Sequence, residues 1–82
     1  MYWDVKTVRA LPDYQLFLEF VDGRTGTFDV KPYLQIGVFR ELQNMHYFNQ
    51  VSINLGAVTW PHEQDIAPET LLAELKPATE SA

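Results

Sequence analysis

The sequence predicts a small α+β domain: an antiparallel sheet, built from a three-stranded meander plus a hairpin, with short helices on one face. Three observations lead there. Tyr14, Leu16, Leu18 and Phe20 alternate with Gln15, Phe17, Glu19 and Val21, the period of a strand with one apolar face. Asp22-Gly23 follows directly and is flanked by strand-like runs, which marks a hairpin. Near the end, Pro68 and Glu69 precede Leu71, Leu72 and Leu75, an apolar stripe at helical spacing behind a helix start.

Taken in order, residues 2–9 read as the first strand, with Trp3 and Val5 on one face and Lys6 on the other. Val8 breaks that alternation and points to a bulge or an early strand end. Leu11-Pro12-Asp13 is a turn, because proline fixes φ and cannot donate to a ladder. Residues 14–21 are the second strand. A type I′ turn at Asp22-Gly23 would return the chain as the third strand, residues 24–30, with Phe28 and Val30 inward. Pro32 begins a short helical turn that Asp29 can cap. Val38, Phe39 and Leu42 have helical spacing after Gly37, and Asn44 can cap a further turn through Tyr47-Phe48. Val51, Ile53 and Leu55 alternate as a fourth strand, Gly56 turns the chain, and residues 57–60 form a fifth, with Val58 and Trp60 on one face. Asp65 stands where a carboxylate can cap the last helix. Pro77 ends the pattern. Residues 1–76 are thus expected to form one domain and residues 77–82 a frayed tail.

Composition narrows the function classes. A chain of 82 residues is one domain with a small core. It holds no cysteine, so neither a disulfide framework nor thiolate chemistry is available, and a reducing cytoplasm is the expected compartment. It has no membrane-length apolar run, and Met1-Tyr2-Trp3-Asp4 lacks the layout of a signal peptide. The net charge is −5. Up to Arg40, the bases Lys6, Arg9, Arg24, Lys31 and Arg40 cancel the acids Asp4, Asp13, Glu19, Asp22 and Asp29. Beyond it, Lys76 alone faces Glu41, Glu63, Asp65, Glu69, Glu74 and Glu80. Such a half repels phosphate backbones and attracts a basic protein, so a protein partner is expected, and nucleic acid or membrane is not. The same charge also serves simple solubility.

No constellation marks an enzyme. His62, Glu63 and Asp65 lie within four positions, but their spacing matches no zinc pattern, and a solvated turn is the better account of them. Ser52 and Ser81 stand in no nucleophile-type turn, and the four glycines are too scattered to cradle phosphate. No catalytic residue, cofactor or metal ligand is therefore assigned.

Several pieces in fixed order make a resemblance. They are Leu11-Pro12-Asp13-Tyr14, Phe20-Val21-Asp22-Gly23, Phe28-Asp29-Val30, Tyr33-Leu34, Gly37-Val38-Phe39, Phe48, Trp60-Pro61 and the run from Asp65 to Leu71. Together they resemble the bacterial family called domain of unknown function 2442. The resemblance implies a small domain with no settled activity, found alone or ahead of a helix-turn-helix domain, and in many cases paired with a small neighbouring gene in the manner of toxin–antitoxin modules. No helix-turn-helix segment follows residue 75 here. Many relatives have Asn-Gly after Trp-Pro where this chain has His62-Glu63, a place that suits positive φ.

Two functional readings follow. The first is a non-enzymatic interaction domain, antitoxin-like or accessory, bound to a small basic protein from an adjacent gene or to a second copy as a homodimer. Its contacts would be Phe17, Val21, Glu63, Glu69 and Glu74. The alternative is a small enzyme or a ligand- or metal-binding domain using the corner from Trp60 to Asp65, with Tyr33, His46, Trp60, His62, Glu63 and Asp65 lining a pocket.

Overall fold

The computed structural model describes residues 4–77. Strand β1 (Val5–Leu11), β2 (Gln15–Phe20) and β3 (Thr25–Asp29) form the meander. A 3-10 turn (Lys31–Tyr33), a 3-10 helix (Gly37–Gln43) and helix α1 (Met45–Phe48) follow. Strands β4 (Ser52–Asn54), β5 (Ala57–Thr59) and β6 (Asp65–Ile66), helix α2 (Pro68–Ala73) and strand β7 (Lys76–Pro77) complete the chain. Meander and hairpin are both present, each in its own sheet: β1-β2-β3-β7 and β4-β5-β6, with every pairing antiparallel. Val5 ties the two together by donating its N–H to the Gly56 carbonyl at 2.9 Å.

One core lies between the sheets and the helices. Leu16, Leu18, Phe20, Phe28 and Val30 meet Leu42, Phe48, Val58, Trp60 and Leu71, all buried. The other face of the four-stranded sheet, which includes Thr7, Arg9, Phe17, Glu19, Thr25 and Thr27, holds no buried residue, so the helices cover one face as expected. Asn44 caps α1 through its side-chain oxygen, which accepts from the N–H groups of His46 and Tyr47. Pro32 and Pro68 open their helical turns, and the Asp29 carboxylate accepts the Lys31 N–H at 3.0 Å.

Several local expectations are overturned. Strand β1 runs to Leu11, and Trp3 lies outside the described residues. The register shifts between Val5 and Thr7, and this bulge lets Val5 and Val8 both pack on the core. Tyr14 is not in the strand but in the turn before it, at φ 57. Its ring meets Phe48 edge-on at 5.3 Å, its hydroxyl bonds the Gln43 carbonyl, and these contacts hold a non-glycine residue in the left-handed region. The Asp22-Gly23 hairpin is not type I′. Only Gly23 has positive φ, at 96°, in a three-residue loop closed by Phe20 N–H to Arg24 O at 2.9 Å. The Asp22 carboxylate selects that form by accepting from the Arg24 backbone N–H and guanidinium. The turn with two positive φ values is Leu55-Gly56, at 52° and 80°, so Leu55 is a hairpin tip and not a strand residue. Asp65 caps nothing: it sits in β6, and the α2 cap is Ala67 with no side-chain bond. Lys76–Pro77, the expected end of pattern, instead pairs with β3. Residues 78–82 of the expected tail lie outside the described residues.

Candidate functional site

The corner after Trp60 is built like the β2–β3 loop. Trp60 donates its N–H to Gln64 O at 3.0 Å and Glu63 donates to Trp60 O at 2.9 Å, matching Phe20 to Arg24 and Gly23 to Phe20. Glu63 therefore occupies the position held by Gly23 in the other loop, and its φ is 72°. A side chain there costs backbone energy that glycine does not. Trp60 roots the corner: it is buried, packs near Phe48, and donates Nε1–H to the Phe48 carbonyl at 2.9 Å.

Gln64 is the one buried polar residue among the described residues. Its side-chain oxygen accepts from the Tyr47 hydroxyl at 2.6 Å, and its amide donates to Val38 O at 3.0 Å and to Glu41 Oε1 at 2.9 Å. Tyr47 in turn accepts the His62 N–H at 2.8 Å. The His62 ring lies over Tyr47 and turns Nδ1 to both Glu41 oxygens, at 2.9 and 2.7 Å. A carboxylate only accepts, so Nδ1 carries the proton. The whole network fastens the corner to the 3-10 helix and α1.

The His62 and Gln64 hydrogen bonds hold the Glu41 carboxyl below its ordinary value, in that order of weight. A depressed folded-state pKa contributes stability that is present above the unfolded value and lost as pH falls through the folded one. The urea midpoint is therefore expected to fall with pH through the lower carboxylate range, and to fall less steeply in Glu41→Gln. Identical slopes in the two proteins would rule this out. Both partners are largely exposed, so the pair itself contributes little at neutral pH.

A family model described as "Protein of unknown function (DUF2442)" matches residues 5–77. The chain belongs to this family. The matched span opens with β1 and closes with β7, so it covers both sheets. No curated protein and no solved structure matches. In this DUF2442 chain Glu63 itself takes the positive φ, 72°, that a glycine would suit, so its side chain does not force a differently shaped corner.

The residues of the pocket reading have different immediate neighbours. Tyr33 stacks on Phe28 and donates its hydroxyl to Glu74 at 2.9 Å; burial and that carboxylate raise its pKa. His46 is exposed on α1, Trp60 is buried beneath the corner, and Glu63 and Asp65 are exposed. Among the described residues no group of three acids or histidines is placed to hold a metal ion. Of the interface residues, Phe17 is half-buried under the Arg9 guanidinium, 4.8 Å from the ring centre. Val21 is half-exposed in the β2–β3 loop, Glu69 is exposed on α2, and Glu74 is held by Tyr33. Glu41, Tyr47 and Gln64 escaped the sequence reading because nothing in their local context marks them; only the fold brings them to His62.

Proposed function

We propose that this DUF2442 domain is a protein-interaction domain, an antitoxin-like or accessory member of a two-gene module, whose partner is a small basic protein. The observation that carries the reading is where charge remains unbalanced. Lys31 lies 2.9 Å from Asp13, Arg24 lies 2.6 Å from Asp22, Lys6 lies 3.9 Å from Glu19, and Arg9 covers Phe17. Glu63, Asp65 and Glu69, by contrast, are exposed and meet no base among the described residues. The side of the corner, β6 and the start of α2 is thus the anionic surface a cationic partner would meet. Glu63 also keeps a charge at a position where the backbone favours glycine.

Co-expression with the product of the adjacent gene tests the reading. A complex that co-purifies at low salt and weakens as salt rises is expected. Glu63→Gly should move two readouts in opposite directions. It should stabilise the free domain by about 1 kcal/mol and weaken the complex by about two- to fivefold, the worth of one exposed ion pair. A chain that stays monomeric and captures nothing overturns the proposal.

A further inference from the structure

Strand β1 is the longest strand and lies at the edge of its sheet. Its first residue is engaged by Gly56, and from Thr7 to Leu11 its paired neighbour is β2 on one side. Toward Val5 the β4–β5 hairpin packs close to β1, and among the described residues no strand pairs with the other side of β1 from Thr7 to Leu11, where its backbone groups can template a further strand. Beside that edge lies a groove of about 450 Å³, lined by Ala10, Leu11, Pro12 and Asp13 on one wall and by Met45 and Asn49 of α1 on the other. Along the free stretch the faces are distinct. Val8 and Ala10 point inward and pack against the core, while Thr7 and Arg9 are exposed on the outer face.

We propose that this edge and groove are a strand-addition site for an extended segment of another protein, in which apolar residues alternate with acidic ones. An added strand continues the pleat of β1. Its inward residues would enter the groove against Met45, and its outward residues would flank Arg9, where a carboxylate is the complementary charge. A second copy of this chain fits poorly. Two-fold pairing that uses all of Thr7 to Leu11 centres on Arg9 and sets one Arg9 against the other, an unfavourable cross-strand pair. This site is distinct from the acidic corner, and its partner segment has the opposite charge.

The test titrates the isotopically labelled full chain with a soluble peptide alternating Leu and Glu. A peptide of the same composition with its Leu and Glu residues in separate blocks is the control. Saturable amide shifts at residues 7–11, 45 and 49 are expected with the alternating peptide alone. Arg9→Glu should weaken binding about tenfold and confer binding of an alternating Leu-Lys peptide. Met45→Trp fills the groove from the helix side and should weaken binding without the charge preference, while Glu63→Gly should leave it unchanged. Equal response to the blocked peptide, shifts confined to other elements, or indifference to Arg9→Glu would each overturn the proposal, as would a dimer whose β1 amides are already protected.

Discussion

Gln64→Leu is expected to destabilise the domain by about 3 kcal/mol, although it keeps the side-chain volume and adds apolar surface to a buried site. Gln64 is 3% exposed, and its amide serves three partners on two elements. Leucine would strand the buried Tyr47 hydroxyl without its acceptor and the Val38 carbonyl without its donor. Each such loss costs about 1–3 kcal/mol, against a smaller gain from burying leucine. Urea unfolding of the single variant and of Gln64→Leu combined with Tyr47→Phe separates the causes. The double variant should recover about 1 kcal/mol, because it removes the stranded hydroxyl along with its former partner. A single variant as stable as the parent, or a double variant showing no coupling, would mean that the network does not hold the corner.

Gly26→Val is expected to cost about 2–3 kcal/mol by overpacking. Gly26 faces the core from β3, between Leu18 of β2 and Pro77 of β7. A Cβ there would overlap the Lys76 carbonyl oxygen and come within 2.8 Å of Leu75 Cγ. The nearest obstacle is backbone, so no rotamer change relieves it. Strand β7 must withdraw, and with it Leu75 and the end of α2 that buries Leu71. Hydrogen exchange should show β7 and α2 opening first while β1 and β2 stay protected. Unchanged protection in α2 would show that β7 contributes little to its docking.

Local sequence decides the structure where one residue acts on its immediate neighbours. Pro32 and Pro68 open helical turns because their fixed φ suits a first turn anywhere. Asn44 caps α1 because its oxygen reaches N–H groups two and three residues on. The alternation from Leu16 to Phe20 names the inner face of β2 because the pleat alone sets it. Elsewhere distant contacts decide. Apolar character suits Tyr14 and Leu55 to strands, yet both adopt positive φ in turns. Tyr14 is held by Phe48 and Gln43, far along the chain, and the two positive φ values of Leu55-Gly56 follow from the pairing of Asn54 with Ala57.

The functional corner divides along the same line. Its outline was visible in Trp60-Pro61 and in the acids around it, and the unsuitability of Glu63 for a glycine-like position was legible before any fold was known. Which side chains meet there was not. The pocket reading groups His62 with Asp65 and His46, but its Nδ1 donates directly to Glu41, twenty-one positions earlier, and the buried Gln64 amide, which has no sequence signature, donates to the same carboxylate. By itself, then, the sequence determined the α+β class, the helical turns opened by Pro32 and Pro68, the Asn44 cap and the acidic second half, because these depend on local geometry and on counting charge. Only the tertiary structure decided that the meander and hairpin belong to separate sheets, that β1 keeps a free edge beside a groove, and that the corner is tied by Gln64, because each depends on which distant segments pack together.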